Sequence, residues 1–213
     1  MASLHTALAV TISVCAAVFV VAWIVGAVYF GGRRSRAPDR WRGLGRELPR
    51  RLLLIAGVFA FSVLVRHTQG FWRRLEYWQP GLAVFGALLA IASTALLLWA
   101  RWVLGTMWAS VPTVQEHHEL RTDGPYRLVR HPIYTGLLGL ITGAMLGFGF
   151  GVWAGALAVA VPWLLRRVRV EDALMAGRFG ASYDAYRAEV PALIPHIRMG
   201  SGTGPGHAGT GAR

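Results

Sequence analysis

The chain has 213 residues, 54% of them hydrophobic and only 15% charged, against about a quarter charged in a soluble domain. The apolar residues are clustered, which excludes an ordinary soluble core and points to one integral membrane domain. The net charge of +12 comes from arginine without any lysine; most arginines flank apolar segments, so they read as membrane-surface charge and argue against nucleic-acid binding.

The first apolar segment runs from about Ala7 to Phe30. No arginine or lysine precedes it and its uncharged span is too long for a signal-peptide core, so it reads as a retained transmembrane helix. Cys15, the only cysteine, lies inside it, so no disulfide can form within the chain. The second segment, Leu52–Val65, is short for a span, and the third covers Gly81–Ala100. The uncharged stretch Pro132–Leu165 would be roughly 51 Å as a single helix. Two helices joined near Gly147-Phe148-Gly149-Phe150-Gly151 fit a bilayer better, because glycine permits a tight turn. The spacing of Gly136, Gly139, Gly143, Gly147, Gly151 and Gly155 predicts close helix packing within that hairpin. Beyond Leu165 the chain becomes polar yet helical in pattern, with a break at Phe179-Gly180. Tyr183, Tyr186 and Val190 then form one stripe expected to pack against the membrane domain. The expected fold is therefore all-α: a polytopic bundle of about five transmembrane helices with a C-terminal cytoplasmic amphipathic helix.

Arginine placement sets the expected orientation. The loop after the first segment is rich in arginine, the next is poor, the third holds Arg101, Arg121, Arg127 and Arg130, and the glycine turn holds none. The positive-inside rule then puts the N-terminus outside and the C-terminus in the cytoplasm, most simply of a bacterial plasma membrane.

The segment Gly124-Pro-Tyr126-Arg-Leu-Val-Arg130-His131-Pro132-Ile-Tyr134-Thr-Gly136 places polar chemistry at the mouth of a membrane helix, where it is costly. A basic interfacial loop is the simpler alternative. Pro132 suits a first helical turn, and the helix start would offer N–H groups and a positive dipole end to an anion. Arg167 and Glu171 are spaced i, i+4, which a plain helix ion pair explains most simply. Glu171 offers a fixed negative charge for a cation, so a zwitterionic ligand would suit both sites. Glu116-His117-His118-Glu119 lacks the spacing of a zinc helix, so no metal site is expected, and no serine-hydrolase elbow occurs.

Taken together, the run from His118 to Gly136 resembles the signature of the isoprenylcysteine carboxyl methyltransferase family, within a wider group of membrane phospholipid methyltransferases. A second block is similar too: Arg167, Glu171, Gly180 to Tyr186, Val190, Pro191 and Pro195. The resemblance covers about residues 110–196, inside a single domain expected over 1–198 with a disordered Gly-rich tail at 199–213. It implies S-adenosylmethionine-dependent methyl transfer to a membrane-associated or lipophilic acceptor, which could be a carboxylate, amine, phospholipid headgroup or thiol. It implies cofactor contacts at His118, Glu119, Leu120 and Arg121, at Tyr126, at His131, Pro132, Ile133 and Tyr134, and at Glu171. Gln115 aligns with the family's upstream glutamine only across a gap. Arg121 stands where the family carries a small apolar residue, which implies contact through its backbone. Arg167 takes the catalytic, substrate-holding position. Two other readings stay open: an NADPH-dependent membrane reductase of related helical architecture, and a non-enzymatic membrane assembly protein built on the glycine hairpin.

Overall fold

The computed structural model describes residues 2–33, 67–105 and 120–195. The second apolar segment, Gln115, His118, Glu119 and the 199–213 tail all lie outside these residues. The described elements are helices α1 (Ala2–Arg33), α2 (Gln69–Arg74), α3 (Pro80–Leu104), a 3-10 turn (Gly124–Arg127), α4 (Pro132–Phe148), α5 (Gly151–Phe179) and α6 (Ala181–Glu189). Among the described residues three helices are long and apolar enough to cross a membrane: Ala2–Gly26 of α1, α3 and α5. At 17 residues α4 is shorter, roughly 26 Å along its axis.

Local chemistry accounts for the helix ends. Gln79 caps α3 by accepting the Leu82 N–H at 2.7 Å, with Pro80 in the first turn, where its missing N–H costs nothing. The α4–α5 turn falls in the predicted glycine cluster. Gly149 has φ +98° and Gly151 φ +23°, a backbone that side chains with a Cβ rarely adopt. Past Leu165 the helix does not stop. α5 continues through its polar portion to Phe179 and breaks only at Gly180, φ +53°.

Contacts at the two ends of the bundle give its polarity. At one end the His5 and Trp78 rings lie 5.1 Å apart, and the Trp78 indole donates to the Gly147 carbonyl at 3.1 Å. At the other end Arg101 of α3 lies against Gly26 of α1, its guanidinium carbon 5.0 Å from the Trp23 ring centroid, a cation–π distance. Helices α1 and α3 therefore run parallel, α4 runs back along α3, and α5 reverses again. The start of α4 and the far part of α5 share the end marked by Arg101.

The glycine ladder packs, but chiefly on α3 rather than inside the α4–α5 hairpin. A Cβ on Gly136 would meet Leu97, one on Gly139 would meet Ser93, and one on Gly143 would come within 2.7 Å of the Gly86 carbonyl oxygen. The reason lies in α3, which buries small residues at helical spacing, Gly86, Ala90 and Ser93. Two faces without bulk bring the backbones together. Gly147 instead meets Ile12 of α1, and Gly155 meets Trp72 of α2. The core at this junction comprises Ile12, Ala87, Ala90, Leu97, Leu140 and Ala144. By contrast α1 is apolar on all sides and exposes Val10, Val14, Val21 and Val25, as a lipid-facing helix does.

Gly143→Ala should lower the unfolding temperature in detergent, by an amount equivalent to about 1–3 kcal/mol, because the new methyl meets backbone atoms that cannot turn aside. Gly177→Ala on α5, where nothing lies within 4 Å, should leave it unchanged or raise it slightly. Thermal unfolding of the two variants side by side checks both.

Candidate functional site

Four pieces meet at the Arg101 end: the 3-10 turn, the start of α4, the distal part of α5, and the segment that follows α6. That last segment runs beside the Arg130-His131 backbone. Arg130 N–H donates to the Pro191 carbonyl at 2.8 Å and His131 N–H to Ala192 at 3.0 Å, while the Thr135 hydroxyl donates to Leu193 at 2.7 Å. Helical bonding within α4 begins with Thr135 N–H to the His131 carbonyl at 3.0 Å. Pro132 has no N–H and that of His131 is taken. Among the described residues, the donors at the helix start without a backbone acceptor are therefore those of Ile133 and Tyr134.

Side chains from α4 and α5 form a charged cluster around them. His131 sits between two carboxylates: Nε2 lies 2.8 Å from Asp172 Oδ1, and Nδ1 lies 3.6 Å from Glu171 Oε2. The other Glu171 oxygen accepts from the Tyr134 hydroxyl and lies 3.3 Å from Arg167 Nε. Arg167 Nε also donates to the Tyr134 hydroxyl at 3.3 Å. On the far side, Asp172 Oδ2 is bonded by Arg130 at 2.9 Å, and Oδ1 accepts from the Tyr183 hydroxyl of α6. Arg130 reaches on to the Arg187 carbonyl at 3.0 Å. The Tyr186 hydroxyl donates to the Tyr126 carbonyl at 2.6 Å, tying α6 to the 3-10 turn.

The electrostatics follow from this packing. Burial by itself disfavours the charged imidazole, but the hydrogen bond to Asp172 and the negative charges of Asp172 and Glu171 outweigh it. His131 is held above the ordinary histidine value. Burial, with Tyr186 and Glu171 nearby, pushes the Tyr126 phenol well above its usual range. Tyr186 is raised to about 12, again mainly by burial. Both phenols are therefore neutral hydrogen-bonding groups at physiological pH.

Among the residues expected from sequence, His131, Tyr134, Arg167 and Glu171 are brought into mutual contact. Pro132 is buried at the first helical position, and Ile133 follows it on the same turn. Tyr126 is buried beside the cluster. Leu120 and Arg121 are half-buried. The i, i+4 pair of Arg167 and Glu171 does form, as the simpler explanation of their spacing required, and Tyr134 and His131 share it. Asp172 and Tyr183 were not anticipated as site residues. The available signal was the Glu171-Asp172 pair itself: adjacent helix positions point about 100° apart, so one acid faces Tyr134 and Arg167 while its neighbour faces Arg130 and α6.

Residues 86–177 match the model of the isoprenylcysteine carboxyl methyltransferase (ICMT) family. Over 84 residues the chain is 33% identical to protein-S-isoprenylcysteine O-methyltransferase B of Arabidopsis thaliana, covering 39% of this chain and 43% of that protein. Over 82 residues it is 39% identical to protein-S-isoprenylcysteine O-methyltransferase of Schizosaccharomyces pombe, covering 38% and 34%. A longer match of 185 residues at 26% identity, covering 78% of this chain and 75% of the relative, is to the cobalt-zinc-cadmium resistance protein CzcN of Cupriavidus metallidurans. The chain thus spans less than half the length of the methyltransferases it matches.

Because the folded state favours the His131 imidazolium, its stabilisation is fully present below about pH 6.5 and is lost as pH rises through the raised folded value. The unfolding temperature should therefore fall as pH rises above about 6.5, and His131→Gln should flatten that slope; pH-resolved thermal unfolding in detergent measures both.

Proposed function

We propose that this chain, whose residues 86–177 belong to the isoprenylcysteine carboxyl methyltransferase family, transfers a methyl group from S-adenosylmethionine to a membrane-associated or lipophilic acceptor. One observation carries the reading: the start of α4 and the polar part of α5 bring open N–H donors, an imidazole and a half-buried carboxylate to one place. These groups suit a ligand bearing both a carboxylate and an ammonium. The N–H groups of Ile133 and Tyr134, at the positive end of the α4 dipole, favour the carboxylate. Glu171 favours the ammonium.

When bound, S-adenosylmethionine supplies a methyl group already activated on a sulfonium. The chain's residues then need to hold and align the reactants and provide no nucleophile of their own. Tyr134 and Arg167 fix the Glu171 carboxylate. Arg167, still about a third exposed, has donors left to orient an anionic acceptor. The matched Arabidopsis and fission-yeast enzymes are named for protein S-isoprenylcysteine, and a carboxylate is the acceptor class that a planar guanidinium engages best.

The five-span topology belongs to the same reading. Helices α1 and α3 run parallel, so α1 ends and α3 begins at opposite ends of the bundle, which supports that count. The arginine-rich loops supply the orientation in this reading, with the cluster facing the cytoplasm, where the cofactor is made.

Isothermal titration of detergent-purified protein should show S-adenosylmethionine binding and no binding of NADPH. Glu171→Ala and His131→Ala should each weaken binding about tenfold or more, roughly 1.4 kcal/mol. Retention of NADPH instead would favour the reductase reading, and wild-type affinity in both variants would remove the site.

A further inference from the structure

Asp172 differs from Glu171 in one respect: both of its oxygens are hydrogen-bonded by the protein, whereas Glu171 has one oxygen held by Tyr134 and Arg167 and the other, Oε2, no nearer than 3.6 Å to His131 Nδ1. Oδ2 is bonded to Arg130, and Oδ1 accepts from both His131 Nε2 and the Tyr183 hydroxyl. The side chain is 15% exposed. At the other nitrogen of the same ring, Nδ1 faces Glu171 at 3.6 Å, beyond good hydrogen-bonding distance. We infer that Asp172 is the positioning residue of the site: by holding Nε2–H it turns the His131 ring so that an Nδ1–H donor faces the ligand-binding side, toward Glu171.

The geometry favours this over a plain structural ion pair. An Asp172 that served only Arg130 would need one oxygen, yet the ring nitrogen is bonded to the other. A neutral imidazole donating through Nε2 would turn a bare Nδ1 lone pair toward a carboxylate, which repels it. With acids at both ring nitrogens the ring carries two N–H groups. Among the described residues the groups around it are Asp172 and Glu171 from α5, Tyr134 from α4 and the adjacent Arg130, with Tyr183 of α6 reaching it only through Asp172. Among these residues none takes the Nδ1–H at good hydrogen-bonding distance. An anionic group of the ligand, such as a carboxylate beside the Ile133 and Tyr134 N–H groups, would accept it. The ligand part of this inference rests on the function proposed above; the orientation of the ring does not.

Two measurements separate the claims. In protein labelled with 15N-histidine, the His131 ring of the wild type should show both nitrogens protonated at neutral pH without any ligand. Asp172→Asn should lower its titration midpoint, Asp172→Glu should keep it raised, and Tyr183→Phe, which removes a second donor from the same Asp172 oxygen and leaves that carboxylate to the ring, should not lower it. In calorimetry with S-adenosylmethionine, Asp172→Asn should weaken binding about tenfold, and Asp172→Glu should recover part of the loss. Combined with His131→Ala, Asp172→Asn should add nothing, because it acts through that ring. Additive losses in the double variant, or a His131 spectrum indifferent to Asp172→Asn, would overturn the proposal. Should Asp172→Asn fail to fold, Asp172→Glu decides: a folded variant with a neutral His131 ring would equally overturn it. A wild type that binds no S-adenosylmethionine would defeat the proposed function and leave the spectra to judge Asp172.

Discussion

An imidazole held between two acids ties the first residue of one apolar helix to the polar end of the next. His131 caps α4, while Asp172 and Glu171 belong to α5, and the arrangement depends on both helices reaching the same end of the bundle. Charged groups at this depth are tolerated because each is answered by another: Arg130 and Tyr183 on Asp172, Tyr134 and Arg167 on Glu171. Removing any one of them would leave a partly buried charge short of a partner, which costs more than the intact pair contributes. The cluster is therefore a structural joint and a candidate binding site at once.

The joint sits where it does because of packing far from it. Glycines on α4 and small residues on α3 let the two backbones approach closely, which sets the height of the His131 end relative to α3. The positive-φ glycines of the α4–α5 turn then send α5 back along α4. Since α5 does not stop at the end of its apolar stretch, Arg167, Glu171 and Asp172 are carried on a rigid helix rather than a loop. A site built this way holds its geometry before any ligand arrives, the condition under which positioning and electrostatics accelerate a reaction.

Much of this was legible in the residues. The hairpin turn followed from glycines inside a run too long for one span, and the break at Gly180 from a glycine after a polar helical pattern. His131 stood out as an ionisable group at the mouth of an apolar helix, whereas Tyr134, Arg167 and Glu171 were singled out as site residues through the family resemblance. The ladder's partner was harder to read. Glycine spacing reports that a neighbour comes close, and which neighbour it is depended on a matching small-residue face elsewhere in the chain. The role of Asp172 was hidden for a similar reason. Its partners lie 42, 41 and 11 residues away in sequence, and no local pattern encodes a contact of that range.

By itself the sequence determined the class of molecule, the positions of the described apolar helices, the turns, and the residues able to carry charge at a helix mouth. These are properties of short windows, governed by hydropathy, glycine geometry and the missing N–H of proline. Only the tertiary structure decided which acid faces which base, that the segment after α6 takes the His131 N–H, and that α4 leans on α3. Those outcomes depend on the relative rotation and height of helices. That arrangement is set by the packing of every face at once and is written in no single stretch of the chain.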